Sequence, residues 1–201
     1  MSDCGCEIEV KNRSEQKVLI QLLIINGLMF LLELSVGWWA QSTALIADAM
    51  DMLADAMVYA VGLYAVGRSA VVKAHAARIS GWFQIGLGLL VVLDIGRRFL
   101  MGSEPVSVLM IGMGLLALMA NITCLYLISA HREGEVHMRA SWIFSKNDVI
   151  ANLGVILAGV LVSWTGSRYP DLIIGLLVAS VVVYGGLRIL RESREAYNNI
   201  S

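Results

Sequence analysis

Residues Ala44–Val66 read ALIADAMDMLADAMVYAVGLYAV. As a helix this stretch is long enough to cross roughly 30 Å of hydrocarbon, which takes about 20 residues. Three carboxylates interrupt it, Asp48, Asp51 and Asp55. Their spacing of i, i+3 and i+7 sets all three on one side of the helix. An ionised Asp near the centre of a span costs about 2.5–3.5 kcal/mol on insertion scales, so three cost about 7–10 kcal/mol unless a cation compensates them. A stripe of acids inside a span marks a pathway for cations or protons. The fold reading is therefore all-α and membrane-embedded, and the functional reading is cation handling.

The rest of the chain agrees with a membrane class. It has 201 residues, 58% of them hydrophobic, and only 15% charged, against about 25% charged in an ordinary soluble domain. Mean hydropathy is +0.73. The net charge of −1 gives no nucleic-acid reading. Three cysteines, Cys4, Cys6 and Cys124, make no disulfide framework. The opening residues, MSDCGCEIEV, are polar and acidic, and no cleavable signal peptide is expected from them.

Six spans are predicted, at about 18–39, 44–66, 78–100, 106–129, 141–164 and 170–190. Pro105 and Pro170 fall at span starts, where a missing N–H does no harm. With the N-terminus inside, the cytoplasmic side carries Lys11, Arg13, Lys17, Arg68, Lys73, Arg78, Arg132, Arg139, Arg188, Arg191 and Arg194. The far side carries Arg97, Arg98 and Arg168. Lysine and arginine excess marks the cytoplasmic side, so both termini are expected there. The organisation expected is a cytoplasmic tail over 1–17, a six-helix transport domain over 18–190 and a short cytoplasmic tail over 191–201. About ten polar residues follow the sixth span, and no soluble C-terminal domain is expected to fit in them.

Several polar groups lie inside spans. Asp51 and Asp55, at i, i+4, stand about 6 Å apart along the helix axis and can jointly hold one divalent cation, which removes their mutual repulsion. They can also lie near an interface and simply be solvated. Asp48, one turn nearer the helix start, is a further ligand or a hydrogen-bonding partner of a neighbouring helix. In the fifth span, Asp148 and Asn152 share a face at i, i+4, with Asn147 and Ser145 close by. Lys146 either snorkels to the cytoplasm or pairs with Asp148. Glu33, Asp94, Asn26 and Asn121 are each expected to make interhelical hydrogen bonds more readily than metal bonds. Cys4 and Cys6, with Glu7 and Glu9 beside them, form a possible cytoplasmic capture element for a soft or borderline metal.

These residues resemble the cation diffusion facilitator family of divalent-metal/proton antiporters. The resemblance is densest at Asn26, Phe30, Glu33, Gly37 and Ser42, followed by ALIADAMDMLAD at Ala44–Asp55. It continues through Pro105, Asn121 and Arg139–Ala140 into Asp148, and covers nearly the whole chain. It implies that Asp51 and Asp55 match the metal ligands of the second span, and Asp148 the aspartate of an HxxxD motif in the fifth. The histidine of that motif falls at Phe144 here. Without imidazole the site loses a nitrogen donor and a group that titrates near neutral pH. An oxygen-rich set leans towards manganese, iron or cobalt, with zinc and cadmium still compatible. In its length the chain resembles short members that lack the C-terminal cytoplasmic domain.

The function implied is export of a divalent transition metal across the cell (inner) membrane by a multi-pass homodimer. Alternating access would exchange the metal for protons carried by the carboxylates. The metal is substrate, no cofactor is expected, and the partners are metal ions, protons, the bilayer and a second copy. An intramembrane aspartyl protease is disfavoured because no GxGD sequence is present, so no enzyme is expected. The alternative is a transport-dead metal-sensing or partner subunit, marked by Phe144.

Overall fold

The computed structural model describes residues 4–65, 70–129 and 136–198, and these form six helices in antiparallel succession. They are α1 (Cys4–Trp39), α2 (Thr43–Ala65), α3 (Ala70–Met101), α4 (Ser107–Ser129), α5 (Val136–Thr165) and α6 (Tyr169–Asn198). Each predicted span lies within one helix, apart from Val106 at the start of the fourth, with Val66 at the end of the second outside the described residues. The helices run further than the spans at the ends that the lysine and arginine excess assigns to the cytoplasm. α1 begins at Cys4 rather than near 18, α3 at Ala70 rather than 78, and α6 continues to Asn198 rather than stopping at 190. Hydropathy marks where the apolar stretch ends, but Lys, Arg, Glu and Gln are good helix formers, and the backbone continues through them.

The helix ends carry recognisable stop signals. Gly102 and Gly166 adopt positive φ (96° and 63°) after α3 and α5, the left-handed conformation that glycine takes without a Cβ penalty. After α1 this position is Gln41, with φ 49°. There Ser42 N–H donates to Gly37 C=O at 3.0 Å and Gln41 N–H to Trp38 C=O at 3.2 Å. This is a Schellman ending with glutamine in the glycine place.

Five helices have segments long and apolar enough to cross a membrane: Gln16–Trp39, Ala74–Met101, Ser107–Ser129, Ser145–Thr165 and Tyr169–Glu195. The helix missing from that set, α2, has the length (23 residues) but carries the three aspartates. Its surroundings explain how it tolerates them. Ala44, Leu45, Ala47, Ala49, Met52, Ala54, Ala56 and Tyr59 are all buried, so α2 is enclosed by other helices and presents little surface to lipid. The other helices turn Leu28, Leu93, Leu100, Val108, Leu157 and Leu177 outward. Exposed apolar side chains suit a lipid-facing surface. Trp38 and Trp39 at the end of α1 and Trp164 at the end of α5 are also exposed, at the depth where aromatic belts sit. The chain is an integral multi-pass membrane protein.

α2 contributes to every apolar cluster of the bundle's interior. Met29, Leu45, Met52, Met110, Met113 and Val155 join it to α1, α4 and α5. Ile46, Ala47, Val91, Val178 and Ala179 join it to α3 and α6. Lipid tails are as apolar as leucine, so these seams depend on close packing rather than on expelling water. Glycines permit it. A Cβ on Gly186 would come within 2.8 Å of Gly81 O across the α3–α6 seam. One on Gly159 would come within 2.9 Å of Ile111 across the α4–α5 seam.

Candidate cation site

The interior of the bundle holds five carboxylates: Glu33 on α1, Asp48, Asp51 and Asp55 on α2, and Asp148 on α5. All are buried. Asp51 and Asp148 each keep 8% exposure while Glu33 has none, so the α2–α5 side is the one nearer to access. Asp148 faces Asp55 and Asp51 across the α2–α5 seam. The helical register accounts for this arrangement, since Asp51 and Asp55 are one turn apart on α2 and Asp148 projects from the facing helix. Glu33 lies beside Asp48, within reach of its charge and that of Asp51. Both Glu33 oxygens and Asp48 Oδ2 lack a donor from any other described group, so the two carboxyls have only each other and can hydrogen-bond only when one of them carries a proton.

What neutralises these acids is the central question. Among the described residues the buried cationic side chain is Arg98. It pairs with Asp94 on its own helix, as does Arg97. Asp94 is thus held in an ion pair away from the other acids, and in an intrahelical contact rather than the expected interhelical one. Lys146 is exposed. Crowded, buried carboxylates with no buried Arg or Lys beside them call for protons or a bound cation.

Polar neighbours complete the surroundings. Tyr59 Oη donates to Asp55 Oδ2 at 3.3 Å, and lies 3.5 Å from Ser145 Oγ. Asn152 Nδ2 donates to the Asp148 backbone carbonyl at 2.8 Å, while its Oδ1 is buried and has no partner. That leaves an amide oxygen available to a cation. Asn147 is on the exposed face, and the structure does not bring it to the cluster. The one-residue uncertainty of helix rotation, about 100°, thereby separates two amides that are alike in sequence. Asn26 bridges α1 and α4 by donating to Cys124 Sγ at 3.7 Å and also donates to Leu22 C=O. Asn121 is buried with Nδ2 unpartnered.

No three His, Cys, Asp or Glu side chains among the described residues converge closely enough to hold a metal ion by themselves. A cation at Asp51, Asp55 and Asp148 therefore needs side-chain rotation towards a common centre, or help from Asn152 Oδ1, a carbonyl or water. The side chains of Cys4, Cys6 and Phe144 lie outside the described residues; the backbone at all three is helical.

Asp171 on α6 is a residue the sequence reading missed. It is fully buried and caps α2 from outside. Its Oδ1 accepts from Ser42 Oγ at 2.6 Å and Ala44 N–H at 3.0 Å, and its Oδ2 from Thr43 N–H at 2.7 Å. Ser42 Oγ in turn accepts from Leu45 N–H at 3.2 Å. Three otherwise orphaned donors at the start of the acid-bearing helix are satisfied, two by a carboxylate from another helix. In sequence, an acid just after Pro170 reads only as a favourable first-turn residue of its own helix, so nothing there pointed to α2.

Comparison with known proteins places this arrangement in context. The profile of the cation efflux transmembrane domain matches residues 19–196. The zinc transporter ZitB of Yersinia pestis is 26% identical over 193 residues, covering 90% of this chain and 62% of that protein. The cadmium, cobalt and zinc/H(+)-K(+) antiporter of Bacillus velezensis is 25% identical over 195 residues, with the same two coverages of 90% and 62%. The metal cation efflux system protein CzcD of Cupriavidus metallidurans is 22% identical over 171 residues, covering 78% of this chain and 53% of that protein. The chain thus spans about three-fifths of the length of the curated relatives it matches.

Proposed function

The chain belongs to the cation efflux family, and on that footing we propose that it exports divalent transition-metal cations from the cytoplasm in exchange for protons. The observation that carries this reading is the buried acid seam. Asp51 and Asp55 on α2 face Asp148 on α5, with no buried Arg or Lys beside them among the described residues. Such a seam is costly when ionised and empty. It is relieved by one divalent cation or by protons, and the two compete for the same oxygens. That competition is the chemical basis of exchange.

In the proposed cycle the metal, as substrate, reaches Asp51, Asp55 and Asp148 from the cytoplasm and displaces protons. Asn152 Oδ1 supplies a further oxygen. Tyr59 holds Asp55 in place by its 3.3 Å hydrogen bond. A change in the packing of the helices exposes the site to the far side, where protons return to the carboxylates and the cation leaves. The ligand set is oxygen-dominated, which suits manganese, iron and cobalt and still admits zinc and cadmium. Zinc, cadmium and cobalt also appear in the names of the relatives. Two copies packed through their spans, each with its own site, form the assembly we propose. Cys4 and Cys6 at the cytoplasmic start of α1 are proposed as a capture element, and the reading assigns the chain no enzymatic chemistry.

The test is metal uptake into sealed proteoliposomes under an imposed pH gradient, comparing Zn²⁺, Cd²⁺, Mn²⁺, Fe²⁺ and Co²⁺. Flux of one or two metals that rises and falls with the gradient is the expected result. Flux indifferent to the gradient would remove protons as the counter-ion. Metal binding without flux would instead favour a metal-sensing or partner subunit.

A further inference from the structure

α3 and α6 touch backbone to backbone at Gly81 and Gly186. On the cytoplasmic side of that crossing lies a cavity of about 520 Å³, lined by His75, Arg78 and Trp82 of α3 and by Leu190, Ser193 and Arg194 of α6. It is remote in sequence from the acid seam and plays no part in the exchange cycle. Arg78 and Arg194 both border it and are exposed. Neither has a carboxylate partner among the described residues. Two guanidinium groups that border one cavity, with no carboxylate partner among the described residues, give it a positive field that favours an anion. Their planar forks fit phosphate oxygens in pairs.

We propose that this cavity binds the phosphodiester headgroup of an anionic phospholipid from the cytoplasmic leaflet. Three features select a lipid over a free phosphate ion. The cavity lies on the side of the bundle that carries the excess of Lys and Arg, where the adjacent leaflet bears anionic lipids. Its wall is partly apolar: Leu190 packs against Gly81, and Trp82 is 60% exposed at the level where indole rings meet headgroups. Beside it on α3, Ile79 and Phe83 are exposed to the surroundings of the bundle, a continuous apolar track for an acyl chain. A small inorganic anion would use the arginines and leave the track idle.

The whole 201-residue chain, purified in mild detergent, is titrated with dioleoyl phosphatidylglycerol and, separately, with dioleoyl phosphatidylcholine, and retained lipid is counted by native mass spectrometry. The expected result is preferential retention of phosphatidylglycerol. Retention should fall roughly 10–30-fold in Arg78→Gln/Arg194→Gln and stay unchanged in Arg191→Gln, a neighbouring cation outside the cavity. Both arginines are exposed, so the double variant should fold, and its elution on size exclusion should match the parent's. Equal retention of the two lipids overturns the proposal. So does loss of retention in Arg191→Gln to the same degree, which would mark a diffuse basic rim. Displacement of phosphatidylglycerol by millimolar inorganic phosphate would reassign the cavity to a free anion.

Discussion

The α3–α6 seam and the α2–α5 seam are both helix contacts inside one bundle, yet they are built on opposite principles. At the α3–α6 crossing, Gly81, Gly88 and Gly186 bring backbones to the limit of approach, and a Cβ on Gly88 would come within 3.2 Å of Ala179 O. Among the described residues no buried carboxylate sits at that crossing. Across the α2–α5 seam, Asp51, Asp55 and Asp148 meet instead, with Asn152 Oδ1 left without a partner. Close packing commits a seam to one geometry, because side-chain and backbone contacts are lost as soon as it opens. A seam of unpaired carboxylates has no such commitment and changes its energy with each proton or cation that arrives. The bundle thus sets a rigid pair beside a seam whose stability depends on what occupies it, and α2 is packed against both.

This contrast is broken most severely by filling the close crossing. Gly186→Leu should destabilise the protein by about 3 kcal/mol, because its first added carbon already meets Gly81 O at 2.8 Å. The check is thermal unfolding in detergent, which should show a clearly lowered midpoint. The matching change at Gly112, where a Cβ would meet nothing within 4 Å, should leave the midpoint near that of the parent. Next in size is the cap that ties α2 to α6. Asp171→Ala strands the Thr43 and Ala44 N–H groups and should cost about 2 kcal/mol. Asp171→Asn, which keeps an acceptor, should recover part of that loss in the same measurement.

Within the polar seam the expected effects are smaller. Tyr59→Phe removes the hydroxyl that donates to Asp55 and should cost about 1 kcal/mol of metal-binding free energy, a roughly fivefold weaker dissociation constant by isothermal titration. The finest comparison sets two amides against each other. Asn152→Ala should weaken metal binding measurably, whereas Asn147→Ala, on the exposed face, should change binding and stability by less than about 0.5 kcal/mol.

Much of this architecture was legible in the chain because burial in a membrane demands patterns that sequence records directly. Uninterrupted apolar stretches set the spans, and the i, i+3, i+7 spacing of Asp48, Asp51 and Asp55 set one polar side on α2. The helix extensions beyond residues 18, 78 and 190 were not legible, since hydropathy ends where the lipid does and the helix does not. Asp171 was hidden for another reason. Its partners Ser42, Thr43 and Ala44 are well over a hundred residues away, and only the packing of α6 on α2 brings them together. Asn147 and Asn152 differ by less than two turns of one helix, and which of them is buried depends on a rotation that neighbouring helices set. Glu33, read as one more interhelical hydrogen-bonding group, lies against the Asp48 carboxyl of α2, and no donor from any other described group reaches its buried oxygens.

The account stands most directly on the claim that Asp51 and Asp148 hold the transported cation while Asp94, tied up with Arg97 and Arg98, does not. The decisive measurement is the initial rate of metal uptake into proteoliposomes for the parent, Asp51→Ala, Asp148→Ala and Asp94→Ala, with the panel of five metals. The account predicts that flux of the transported metal falls by about 100-fold or more in the first two variants and stays within about threefold of the parent in the third. Flux that survives Asp51→Ala or Asp148→Ala would contradict it.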